Sequence, residues 1–240
     1  MFKITIPCYN CAEWIEECIE SVINQSHTDW EAVIVNDGSS DNTGDIIAKF
    51  SDSRIKVITN TKNNGSPLAS IIQATQALNA EQEDIIINLD GDDKLSDPYV
   101  IQHLNEVYLD KSVLMTYGQF EPMSKTYSNY CKQIPDTCTY RKSGLWLASH
   151  LRTYKKKLFD LIDDNDLRDV DGEYYKLAGD AALLYPLIEL AGNGRVKFIP
   201  RVMYSYNDLS ELNEMHKDPT NQVAAANRVR AKSPYKRAEL

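Results

Sequence analysis

Residues 85–95, "IIINLDGDDKL", carry an apolar run into three carboxylates, Asp90, Asp92 and Asp93. Like charges repel, and burying a carboxylate is costly unless a cation or hydrogen-bond donors satisfy it. Asp90 and Asp92 are hard oxygen donors, suited to Mg²⁺ or Mn²⁺ holding a diphosphate. The Asp-x-Asp pattern alone says little, because the chain has 21 aspartates and repeats it at Asp164/Asp166 and Asp169/Asp171. The first copy differs in its address, directly after an apolar strand, with Gly91 letting the backbone come close to a ligand. The later copies lie in "DDNDLRDVDGEYY", which resembles a calcium loop. With Gly172 at that loop's sixth position, Leu167 falls first and Ala178 twelfth, so both essential carboxylates are missing and the segment reads as a polar loop. "CYNC", residues 8–11, has the C-x-x-C spacing of redox sites, although packing is the reading its context favours.

Elements that could position the Asp90 knot alternate through the first half. "FKITIP", "WEAVIVND", "RIKVIT" and "DIIINL" read as strands, and continuous apolar runs are expected of strands covered on both faces. Between them, over residues 12–25, Trp14, Cys18 and Val22, with Ile15, Ile19 and Ile23, mark one helical stripe, and Leu68, Ile71, Ile72, Thr75 and Leu78 another. Asn42 or Thr43 can cap a helix reaching Phe50. This rhythm implies an α/β fold, with a mostly parallel sheet and helices on both faces. The second half is less regular: a strand over 111–121, a long polar loop over 122–143, a helix over 180–191 with Leu183, Leu184, Leu187 and Ile188 on its core face, and strands in "VKFIPRVMYSY". A single domain is expected, with residues 1–110 as a nucleotide-binding half, 111–218 completing an acceptor site, and 219–240 a basic tail.

Composition sets limits. At 240 residues, 42% hydrophobic and 25% charged, the chain is an ordinary globular domain. Its net charge of −9 argues against general nucleic-acid binding. No apolar stretch has the length of a membrane span, "MFKITIPCYN" lacks a signal-peptide core, and the five cysteines are an odd number. Reduced thiols and a cytoplasmic location are the expectation. The exception to the acidic balance is "NRVRAKSPYKRAEL", where Arg228, Arg230, Lys232, Lys236 and Arg237 oppose Glu239. A solvated terminus is the plain reading; contact with a phosphate-bearing ligand or a peripheral, anionic membrane surface is the alternative.

Ligands of open α/β sheets bind outside the carboxyl ends of the strands. Those ends here are "IPCYN", "VNDGSSDNT", "TNTKNNG" and "LDGDD". Pro7 stands where a dinucleotide fold needs glycine, which disfavours a nicotinamide reading. The combination of "P-x-Y-N", a helix, "V-N-D-G-S-S-D-N-T" and "L-D-x-D-D" resembles the inverting family 2 glycosyltransferases of GT-A fold, over about the first 100 residues. That resemblance implies a nucleotide-sugar donor, most simply UDP-linked, Mn²⁺ or Mg²⁺, and a glycan, lipid-linked or protein acceptor. It assigns Pro7 and Tyr9 to the nucleobase site, Asp37 to the uracil imide or ribose, Asp90 to the ribose and diphosphate, and Asp92 to the cation. An inverting transfer needs a base to deprotonate the acceptor hydroxyl, and Asp180, ahead of an amphipathic helix, is the matching residue. His216 matches a carboxyl-terminal metal ligand of the fold, with Lys217 beside it for the diphosphate.

The chain also departs from that pattern. "SPLASIIQ" lacks the Arg-Asn pair expected after "NNG", and Gly179 replaces the glutamate that usually precedes the base. A nucleotidyltransferase and an inactive sugar-nucleotide binding module are the alternatives. The first should carry a basic, glycine-rich segment after its first strand, absent here; the second is made conceivable by Gly179.

Overall fold

The computed structural model describes residues 1–128, 130–210 and 218–240. Its centre is an eight-stranded sheet of order β3-β2-β1-β4-β7-β6-β8-β5. The strands are β1 Phe2–Cys8, β2 Trp30–Asn36, β3 Ile55–Thr59, β4 Ile85–Asn88, β5 Lys94–Leu95, β6 Met115–Pro122, β7 Ser149–Lys155 and β8 Val196–Tyr206. β1 runs parallel to β2 and β4, and β2 parallel to β3. β7 enters antiparallel between β4 and β6, while β8 lies parallel to β6 and antiparallel to β5.

The four expected strands of the first half are present, and their apolar runs feed both faces. Phe2, Ile4, Ile6, Trp30, Ala32, Ile34, Ile85 and Ile87 pack under α1 Ile15–Ile23 and α4 Val100–Val107. Val33, Val35 and Ile86 point the other way, toward α3 Pro67–Ala77. Period-two alternation thus places one core on each face. The short α2 Thr43–Ile47 follows β2. α3 begins at Ser66, whose Oγ accepts from Ala69 N–H at 3.1 Å, with Pro67 in the first turn.

Four elements of the second half differ from expectation. β7 lay in a segment given no strand by the sequence, and the strands expected in "VKFIPRVMYSY" form the one long β8. α5 Lys156–Phe159 follows β7, and α6 Gly179–Ala191 is buried all round rather than on one face. The reason is α7 Pro219–Ala231, which covers the outer side of α6 where the sequence reading placed a tail. Glu189, on that covered side, is paired with buried Arg141 at 2.6 Å. Two of the tail's cations have partners in the acidic loop: Arg228 chelates Asp169 at 2.5 and 2.7 Å, and Lys232 donates to the Asn165 and Arg168 carbonyls. Among the described residues, no helix is long and apolar enough to cross a membrane.

Candidate active site

The carboxyl ends of β1, β2 and β4 open on one cleft of about 540 Å³, closed opposite by β7, α6 and the residues after β8. Pro7, Tyr9, Asp37, Asp90, Asp92 and Asp180 all line it, so the structure brings together the described candidates. His216, Lys217 and the rest of 211–217 lie outside the described residues.

On the β1–β2 side, backbone and side chains hold one another. Asp37 N–H donates to the Cys8 carbonyl at 2.9 Å, and Gly91 N–H donates to the Pro7 carbonyl at 2.9 Å. A Cβ at Gly91 would lie 2.5 Å from Cys8 Cβ and 2.9 Å from the Pro7 carbonyl oxygen, so only glycine fits between the motif and β1. Asp37 is buried, and its carboxylate accepts from Asn60 Nδ2 at 2.7 Å and Asn64 N–H at 2.9 Å. It therefore organises the loop after β3, with lone pairs left for a ligand. Tyr9 is 40% exposed, which leaves a ring surface available for stacking. The thiols of Cys8 and Cys11 are free and buried. A hydrogen bond with Cys11 and burial raise the Cys8 thiol well above its ordinary range, so Cys8 packs as a neutral thiol.

The three motif aspartates part company. Asp93 is buried, and its oxygens accept from Tyr204 Oη at 2.5 Å and Asn207 N–H at 2.6 Å. Tyr204 Oη in turn accepts from Asp90 N–H at 3.2 Å. Asp93 thus ties the motif turn to β8. Burial pushes all three carboxyls up: Asp90 with help from Asp180 and against Arg152, Asp92 to about 6 with repulsion from Asp90, and Asp93 with repulsion from Asp92 and Asp90. Ser210 hydrogen-bonds Asp92 and works the other way.

A carboxylate cluster with Asp93 buried and Asp90 and Asp92 half-buried, its repulsion met only in part by Arg152, fits a divalent cation, and its donors are the oxygens that Mg²⁺ and Mn²⁺ take. Ligand atoms of Asp90, Asp93 and His150 lie within 4.8 Å of one another. His150 stacks on Tyr204 at 4.4 Å between ring centroids, and burial and Arg152 keep it well below the usual imidazole range. A neutral imidazole is a competent ligand. Since both Asp93 oxygens already accept hydrogen bonds, Asp90 and Asp92 have the less committed carboxylates.

Across the cleft, Asp180 sits in the first turn of α6, its Oδ2 3.3 Å from an Arg152 guanidinium nitrogen. Arg152 projects from β7 opposite Asn88 of β4, one register step before the motif. It was not anticipated, nor was His150. The only sequence signal was a charged residue between Leu151 and Thr153, both fully buried. Gly179, where the resemblance expects glutamate, has a local cause. A Cβ there would lie 3.0 Å from Leu68 Cβ, so the start of α6 packs tightly on the first turn of α3. Ala178 ahead of it holds φ at 58°, and its N–H donates to Gln222 of α7 at 3.1 Å.

Comparison with known proteins identifies the family and the fold. Residues 3–168 match the family model described as Glycosyl transferase family 2. The chain is 26% identical over 232 residues to a chondroitin synthase of Pasteurella multocida, covering 95% of this chain and 23% of that protein. The chain therefore spans about a quarter of that relative's length. Among solved structures, S. aureus TarS in complex with UDP-GlcNAc superposes with a TM-score of 0.71 at 19% identity, over 95% of this chain and 65% of that one. The mannosyltransferase PcManGT of Pyrobaculum calidifontis, in complex with GDP-Man and Mn²⁺, gives 0.64 at 15% identity, over 98% and 65%. At such identities these two structures speak for the fold.

Proposed function

The chain belongs to glycosyltransferase family 2, and from that premise we propose that it moves a sugar from a UDP-sugar to an acceptor hydroxyl with inversion. One observation carries the reading: the Asp90–Asp92 pair and Asp180 face each other across a single cleft whose other end is formed by Pro7, Tyr9 and Asp37. Uridine stacks on Tyr9 and reaches Asp37, while the diphosphate lies over the β4 turn, where Gly91 keeps the backbone low. Asp92 and Asp90 would hold a divalent cation, which would supply positive charge against the departing diphosphate. Asp180 takes the acceptor hydroxyl proton as the acceptor oxygen bonds to the anomeric carbon. The bond from that carbon to phosphate breaks, and its electron pair leaves with the UDP. Glycan, lipid-linked and protein hydroxyls are the acceptor classes compatible with an open cleft.

The test is calorimetric and thermal binding of UDP and GDP with Mn²⁺ or EDTA. UDP is expected to stabilise the protein far more with Mn²⁺, by about 2.7 kcal/mol at a hundredfold excess over Kd. Asp92→Asn is expected to lose most of the metal-dependent increment while the free protein stays folded. Equal UDP binding with chelator would remove the metal from the reading. Metal-dependent UDP binding without release of UDP from any UDP-sugar would leave a binding module.

A further inference from the structure

We propose that Arg152 is the positioning residue of the catalytic base, holding the Asp180 carboxylate at the angle from which it takes the acceptor proton. The inference rests on the assignment of Asp180 as base and adds a second residue that acts through it. The guanidinium is 3.3 Å from Asp180 Oδ2 and 3.4 Å from His150 Nε2. Its side chain is 11% exposed against 35% for Asp180, so the arginine is the fixed partner and the aspartate the more open one. Burial works against the arginine's charge, yet Asp180 and Asp90 hold it firmly protonated. Its Nε is buried with no hydrogen-bond partner, so the side chain is kept in place by packing and by these charges rather than by a full set of bonds. The backbone under it is rigid, since β7 is hydrogen-bonded to β4 on one side and β6 on the other.

Asp180 needs such a partner. Its own helix start has no side-chain cap, and it follows Gly179 and a residue in the left-handed region, Ala178. The Ala178 N–H bond to Gln222 fixes the backbone, and Asp180 Oδ1 accepts from Ala181 N–H at 2.7 Å. Those contacts leave Oδ2 to be directed by Arg152. An aspartate has two staggered choices at its first side-chain torsion that clear a helix, and a charge-assisted bond selects one. The planar fork of arginine does this with a direction that a lysine ammonium lacks.

The experiment is a double-mutant cycle on UDP release from the UDP-sugar most active with the wild type, water serving as acceptor. Arg152→Met is expected to lower kcat by about 10²-fold, the scale of a misplaced reacting group. Arg152→Lys should recover only part of that loss. UDP and uridine affinities in Mn²⁺ should stay at wild-type values in both variants. In an Asp180→Asn background, Arg152→Met should cause no further loss, because residues acting as a unit are not additive. Equal losses in both backgrounds would show an effect independent of Asp180 and overturn the proposal. Weakened UDP binding with unchanged uridine binding would overturn it too, by making Arg152 a diphosphate contact. Should Arg152→Met fail to fold, the same cycle with Arg152→Lys decides. An active Asp180→Asn enzyme would instead remove the base itself, a failure distinct from that of Arg152.

Discussion

On the Pro7–Asp37 side of the cleft, each polar group is held by its chain neighbours or by the adjacent parallel strand. Cys8, Asp37, Asn60 and Asn64 form one continuous set of short bonds. On the Arg152–Asp180 side, the groups arrive from β7, α6 and α7, with Arg152 meeting Asp180 and Gln222 accepting from Ala178 N–H. The first side is built from the ends of parallel strands and the loops that follow them. The second is built from an antiparallel strand and two helices joined through side chains.

That contrast can be broken most strongly at the assembled side. Asp180→Asn is expected to reduce UDP release by roughly 10² to 10⁴-fold while leaving Mn²⁺-dependent UDP affinity intact. Stopped assays for rate and titration calorimetry for binding separate the two; a parallel loss of affinity would join the two sides of the cleft into one unit. A smaller effect is expected on the other side. Gly91→Ala forces a Cβ against Cys8 and the Pro7 carbonyl, at 2.5 and 2.9 Å. Overpacking of this kind costs about 1–3 kcal/mol. A lowered melting temperature together with weakened UDP binding is the expected pair of readings, and a variant of wild-type stability would show that β1 and β4 can part freely.

The smallest effect lies at the seam between the two halves. Glu83, ahead of β4, bonds Lys157 at 2.6 Å and Lys155 of β7 at 2.9 Å, and those ammonium groups hold its carboxyl down to about 2. A depressed carboxyl contributes stability above its unfolded value near 4.3, and that contribution is lost as pH falls from about 4 toward 2. Glu83 is 64% exposed, so solvent screening keeps the effect under about 1 kcal/mol. Glu83→Gln should flatten the acid side of a plot of melting temperature against pH by that amount. An unchanged acid limb would take Glu83 out of the seam.

How much of this could be read beforehand follows the same division. β1, β2 and β4 are buried on both faces and announce themselves as apolar runs ending in polar turns, so the strands and the gathering of aspartates at their ends were legible. β7 is just as buried, but its sequence is "SHLRTYK". Thr153 bonds Thr116 and Tyr108, Lys155 bonds Glu83, and Arg152 meets Asp180, so its polar residues are satisfied by partners that only the folded sheet supplies. Hydrophobic periodicity has nothing to register there. α7 was missed for a related reason. Ala225 and Val229 are its buried residues, and much of its attachment is Arg228 on Asp169, an acidic loop read separately as a polar turn. Recognising that the basic tail and the acidic loop were complementary would have found it.

The insertion of β7 between β4 and β6 also has a consequence for synthesis. Tyr154 of β7 and Asn88 of β4, joined by a 3.3 Å hydrogen bond, are 66 positions apart. Until that later stretch leaves the ribosome, the four parallel strands present β4 as an open edge of Ile85, Ile86 and Ile87, with unpaired amides and carbonyls along it. Such an edge pairs readily with any other extended chain. The arrival of the Arg152 strand covers that edge and brings Arg152 to the cleft in the same step.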